Sequence, residues 1–104
     1  LNSIGAALTE EYMFNSEGRM LNPTFNYYKL LTAADAPKIE TILVETHEPT
    51  GPYGAKSVSE INTNGPLPAI ANAIYDAVGV RLRKSPYTPE RVLEALEEAK
   101  RAKD

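Results

Sequence analysis

The residues best suited to chemistry lie in one stretch, Gly54-Ala55-Lys56-Ser57-Val58-Ser59-Glu60-Ile61. Gly54, Ala55, Ser57 and Ser59 carry almost no side-chain bulk, so the main chain can approach a ligand or a neighbouring segment closely there. Glu60 stands between this run and the apolar Ile61. Desolvation lifts a carboxyl group toward the range a general base needs, which makes Glu60 the candidate base. The same residue types also build an ordinary solvated turn, and composition alone leaves both readings open. His47, the only histidine, precedes Glu48. Zinc requires a fuller set of nitrogen or sulfur donors, and with no second histidine and no cysteine the chain is expected to hold no metal of its own. His47 and Glu48 are read as loop residues.

The elements that position this stretch can be taken in chain order. Ile4, Ala7, Leu8 and Tyr12 recur at helical spacing after a possible cap at Asn2 or Ser3, and Gly5, Ala6 and Ala7 give that helix a slim face. Asn15-Ser16-Glu17-Gly18 is turn chemistry, followed by a short strand over Arg19–Leu21 that Asn22-Pro23 breaks. Thr24–Leu31 is aromatic without clean alternation, and Thr32–Pro37 is a breaker. Lys38–Thr46 is the best strand candidate, with apolar residues on both faces, as in a strand covered on both sides. Pro66 and Pro68 suit a helix start, a nearly all-apolar helix runs through Ala69–Val78, and Gly79 stops it. So apolar a helix is expected to be buried on most sides. Val80–Leu82 reads as a short extended piece. Thr88-Pro89-Glu90 then opens a last helix, with a Glu97–Arg101 pair along it and Lys100, Arg101 and Lys103 at its end.

Composition bounds the function. The 104 residues suit one domain, 42% hydrophobic and 24% charged. A formal net charge of -3 offers no basic field for nucleic acid or an anionic membrane. Without cysteine there is no disulfide framework and no thiolate chemistry, which accords with a cytoplasmic setting. No apolar run approaches the roughly 18–20 residues that span a bilayer. The chain opens on Leu1, and a helix this apolar calls for more protein around it, so residues 1–104 are expected to be a piece of something longer.

Taken together and in order, Ala7-Leu8-Thr9-Glu10-Glu11, Asn22–Tyr28, Thr32–Ile39, Gly54–Glu60, Pro68–Arg81 and Pro86–Glu90 resemble the C-terminal end of the molybdenum-binding subunit of the xanthine dehydrogenase / aldehyde oxidase family. The resemblance implies that Glu60 is the catalytic glutamate of the family's Gly-Val-Gly-Glu signature. It implies that Lys56, Ser57, Val58 and Ser59 lie along the molybdenum–molybdopterin cofactor. Ser57 and Ser59 stand where the family usually has glycine; they are small, but they narrow the backbone angles available. The implied chemistry is hydroxylation of an N-heterocycle or an aldehyde, with Glu60 as proton acceptor and the cofactor carrying the redox step. The implied partners are the rest of the molybdenum subunit, with iron–sulfur clusters and FAD on other domains or subunits. Substrate choice in the family rests on residues this chain does not contain.

The expected architecture is therefore α+β, about three helices packed on a short sheet, forming one domain over residues 1–104 as the C-terminal fragment of a larger cofactor-binding subunit. By itself the chain is expected to hold no cofactor and to be inactive. Two other classes remain open: a non-catalytic interaction or assembly module docking through its apolar helix, and a pseudo-enzyme that keeps the fold without the chemistry.

Overall fold

The computed structural model describes residues 1–102. Three α-helices carry it: α1 (Asn2–Leu8), α2 (Pro66–Val78) and α3 (Pro89–Arg101), with 3₁₀ turns at Ala33–Asp35, Pro52–Gly54 and Glu60–Asn64. The reasons for α2 and α3 are local. Pro66 occupies the first turn of α2, where its missing N–H costs nothing, and Gly79 ends it in the left-handed region at φ 73°. In α3, Thr88 Oγ1 accepts a hydrogen bond from the Arg91 N–H at 3.4 Å, Pro89 takes the first position, and Lys100 and Arg101 lie in the last turn. Arg101 meets Glu97 at 3.3 Å, as the spacing anticipates. Lys103, expected beside them, lies outside the described residues.

Helix α1 is shorter than its pattern. It ends at Leu8, where the Thr9 hydroxyl donates to the Lys29 carbonyl at 2.7 Å, and neither Asn2 nor Ser3 caps it. Tyr12 therefore lies beyond it in irregular chain, its ring 5.4 Å from that of Tyr28. Tyr28 Oη donates to Glu10 Oε2 at 2.9 Å, and this carboxylate, followed by desolvation, pushes the phenol up to about 12.

The expected sheet is absent. Among the described residues there is no strand, and the one β-type pairing is an isolated antiparallel bridge between Phe14 and Met20. The α+β expectation is thus corrected to a helical chain with long irregular connections. The reason is that a strand exists only through its neighbours. Lys38–Thr46 is extended in outline, but no main-chain hydrogen bond joins it to another segment among the described residues. Its apolar side chains stand in solvent, with Ile42 at 78% and Val44 at 79% exposure. Arg19–Leu21 contributes only the bridge, and Val80–Leu82 forms no strand.

The core is small. Ala7, Ala71 and Tyr87 are its buried residues, flanked by Leu8, Leu67, Ile70, Ile74 and Leu82. Only Ala71 of α2 is buried, while Tyr75 and Val78 remain exposed, so the expectation of a helix covered on most sides does not hold within this chain. The α1 helix and the Leu82–Tyr87 region pack on one face, the Glu60–Asn64 turn also contacts the helix, and Arg81 lies over the Tyr75 ring. Two polar links tie the chain's two ends together, and a third braces the segment after α1. The Tyr87 N–H donates to the Ala7 carbonyl at 2.6 Å. Arg91 donates to both Glu11 carboxylate oxygens, at 2.7 and 2.8 Å, and to the Pro86 carbonyl at 2.9 Å. Buried Asn22 bridges the Glu11 carbonyl and the Met13 N–H. The radius of gyration is 18.4 Å, against about 13 Å for a compact chain of this size, because the Lys38–Ser59 arm projects from this helical end.

Candidate functional site

The arm encloses an open groove of about 430 Å³. One wall is Leu43–His47 and the other is Tyr53–Val58. Lys56, Ser57 and Val58, three of the four residues expected along a cofactor, therefore line the same cavity. Ser59 follows them outside it, and Glu60 begins the Glu60–Asn64 turn, exposed to solvent. The Thr63 hydroxyl donates to the Glu60 carbonyl at 2.6 Å, which holds the Glu60 main chain and leaves its carboxylate unengaged among the described residues. Within this chain Glu60 thus lacks the apolar enclosure its sequence neighbours suggested: Val58 is 66% exposed and Ile61 64%.

The small-residue run does what small residues allow. Neither Ser57 nor Ser59 takes a positive φ, so neither position calls for glycine on that ground. The N–H groups of Lys56, Ser57, Val58 and Ser59 have no hydrogen-bond partner among the described residues. The free main-chain donors of Lys56, Ser57 and Val58, the Lys56 ammonium and the Ser57 hydroxyl make a wall suited to a polar or anionic ligand. Glu45 and Thr46 add an acid and a hydroxyl opposite. Among the described residues no group of three His, Asp or Glu side chains gathers as metal ligands. The main-chain donors, the Lys56 cation and the Ser57 hydroxyl fit the polar edge of a pterin.

Two residues read as plain loop from the sequence turn out to organise the wall. Glu48 Oε1 accepts from the Thr50 N–H at 3.0 Å and from its hydroxyl at 2.6 Å. The Thr50 hydroxyl, then its N–H, hold the Glu48 carboxyl below its ordinary value. The Glu48 N–H in turn donates to the Gly54 carbonyl at 3.2 Å, closing the loop. His47 lines the groove, its imidazole packed over Gly54. An Asx/ST-type turn is visible in Glu-Pro-Thr-Gly only as a generic signal, and nothing in the sequence marks the His47–Gly54 contact. Asp35 is a second acid held in this way, accepting from the Thr32 N–H and hydroxyl at 2.8 and 2.7 Å.

Residues 1–37 match the model of a molybdopterin cofactor-binding domain. Over 98 residues the chain is 43% identical to a protein of Escherichia coli K12 named probable hypoxanthine oxidase, covering 93% of this chain and 10% of that one. It is 38% identical over 95 residues to the molybdenum-binding subunit of an E. coli K12 aldehyde oxidoreductase, covering 89% and 13%. In structure it is similar to quinoline 2-oxidoreductase of Pseudomonas putida 86, with a TM-score of 0.81 at 28% identity, over 92% of this chain and 13% of that one. The chain thus spans about a tenth of the length of the curated relatives it matches. Among the described residues no helix is long and apolar enough to cross a membrane.

Proposed function

We propose, from the premise that this chain belongs to the xanthine dehydrogenase / aldehyde oxidase family of molybdenum-binding subunits, that it is the C-terminal segment which lays one wall of the cofactor site and supplies the catalytic base. The observation that carries this is the groove itself: Lys56, Ser57 and Val58 share one cavity wall, and the chain delivers Glu60 two residues later.

The molybdenum–molybdopterin cofactor, when bound, supplies the two-electron redox chemistry. Everything else is the work of this chain and of the protein around it. Lys56 places a cation, and Lys56–Ser59 offer main-chain donors, along the polar edge of the cofactor. Ser57 adds a hydroxyl where a glycine would offer none. Glu60, its main chain held by Thr63, accepts a proton at its carboxylate as an oxygen nucleophile is delivered to an electron-poor carbon of an N-heterocycle or an aldehyde. Burial by the rest of the subunit completes the site, because pockets for ligands of this size enclose most of the ligand surface.

The partner this requires is the remainder of the molybdenum subunit, which meets the exposed apolar side chains of the arm and of α2. One relative, from Paenarthrobacter nicotinovorans, is the gamma subunit of the 6-hydroxypseudooxynicotine dehydrogenase complex. Subunits carrying iron–sulfur clusters and FAD accordingly complete electron transfer in this proposal, in the cytoplasm. The competing docking-module reading uses the same apolar surface but gives Glu60 no task.

Glu60→Gln in the assembled enzyme decides between them. It keeps size and hydrogen bonding but cannot take a proton at working pH, so turnover should fall by about 10²–10⁴-fold at unchanged molybdenum content. Glu40→Gln, an exposed acid outside the groove, is the matched control. Equal turnover of Glu60→Gln and parent enzyme at matched molybdenum occupancy would remove Glu60 from the mechanism.

A further inference from the structure

The turn that delivers Lys56 to the groove is strained. Tyr53 sits at φ 56° and ψ 17°, and among the described residues it alone, outside glycine, has a positive φ. An aromatic residue adopts the left-handed region only when its surroundings hold it there. The Tyr53 ring supplies none of that hold, since it is fully in solvent. Gly54 follows in the same region at φ 74°, so two consecutive residues are left-handed.

What holds the turn is the opposite wall. Pro52 fixes its own φ, and the Ala55 N–H donates to the Pro52 carbonyl at 3.0 Å. The Glu48 N–H reaches across to the Gly54 carbonyl at 3.2 Å. The His47 imidazole lies so close over the Cα of Gly54 that a methyl group there would overlap ring atoms Nδ1, Cε1 and Cγ. Glycine at 54 is therefore required twice, by its φ and by the ring above it. The three heavy atoms nearest a group added there all belong to that ring.

We propose that His47 is a positioning residue: its imidazole, packed on the Cα of Gly54, holds the strained Tyr53–Gly54 turn and so sets the Ala55–Val58 wall against which the pterin cofactor lies. This rests on the reading of that wall as a cofactor contact. His47 touches no reacting atom in this role and acts only through Gly54. Its ring shape is what matters, not its proton.

The test uses the full-length molybdenum-binding subunit in its assembled enzyme and reads the rate of cofactor release, turnover per retained molybdenum, and melting temperature. His47→Ala and Gly54→Ala should each speed cofactor release about tenfold, a typical coupling for residues in contact. The double variant should be no worse than Gly54→Ala, because removing the ring removes its overlap with the added methyl and leaves only the φ strain at position 54. His47→Phe, which keeps a planar ring, should return release to within about twofold of the parent. Additive losses in the double variant, a parental release rate in His47→Ala, or no rescue by phenylalanine would each overturn the assignment. If His47→Ala fails to accumulate, Gly54→Ala releasing cofactor at the parental rate overturns it instead. A His47–Gly54 coupling seen in melting temperature with unaltered release would refute the positioning role. It would leave the Glu60 assignment standing, since that is judged by turnover at matched molybdenum.

Discussion

The helical end and the groove arm of this chain are built on opposite principles. The helical end, α1 with α2 and α3, is anchored within the chain: Arg91 grips Glu11, the Tyr87 N–H reaches the Ala7 carbonyl, and Ala7, Ala71 and Tyr87 exclude water together. The arm, Lys38–Ser59, has a locally braced loop at His47–Ala55 and an irregular segment before it whose apolar side chains are exposed. Both regions are apolar in sequence. What differs is whether the neighbours that make apolar residues structural are present within 104 residues. The difference teaches where to look for function: the braced loop of the otherwise unsupported arm joins the two walls of the groove.

The contrast breaks most sharply under a buried charge. Ile74 packs in the helical end, whereas Val44 is 79% exposed here. Ile74→Asp should cost about 2–4 kcal/mol in the chain alone and in the whole subunit alike, read as lost helical signal on heating. Val44→Asp should be silent, within about 0.5 kcal/mol, in the chain alone, yet as damaging as Ile74→Asp in the whole subunit. If Val44→Asp is equally silent in both settings, the arm is not covered by the remainder of the subunit.

A smaller effect tests the anchor. Glu11→Gln removes the charge facing Arg91 at a site where both side chains are partly shielded, 24% and 34% exposed. The expected loss is about 1–2 kcal/mol, between the values for exposed and for buried pairs, with α3 detaching first. Glu97→Gln, whose pairing with Arg101 lies in solvent, should cost much less in the same melt.

The helices were readable because their signals are local. Pro66, Gly79, Thr88 and Pro89 each mark a boundary within a few residues of where it falls, and the structure agrees. Helix α1 was over-read at its end because Tyr12 kept the spacing, while Thr9 and its bond to Lys29, twenty positions away, broke the helix first. The sheet was misread for a related reason. Lys38–Thr46 has every property of a doubly covered strand except a neighbour to pair with, and pairing is not encoded in the strand itself. In the site, Lys56–Val58 were legible because they are contiguous, and His47, Glu48 and Asn22 were not, because their roles are contacts across a fold.

The smallest expected effect concerns the brace on the loop. Hydrogen bonds from Thr50 lower the Glu48 carboxyl relative to its value in the unfolded chain, so they favour the closed loop above that ordinary value. The contribution is lost as pH falls through the lowered value in the folded loop. The Thr50 amide resonance should therefore titrate below the ordinary glutamate range, and Thr50→Val should return the Glu48 titration toward that range. A Glu48 titration unchanged in Thr50→Val would mean that Thr50 does not brace the loop.

The central claim is that the Gly54–Glu60 wall meets the cofactor, and amide hydrogen exchange of the whole molybdenum-binding subunit, with and without cofactor, tests it most directly. The N–H groups of Lys56–Ser59 are free in the chain alone and should exchange fast there. On cofactor loading, protection should rise at Lys56–Ser59, while α2 and α3 change little. Protection that rises elsewhere in the subunit, with Lys56–Ser59 exchanging at the same rate with and without cofactor, would contradict the account.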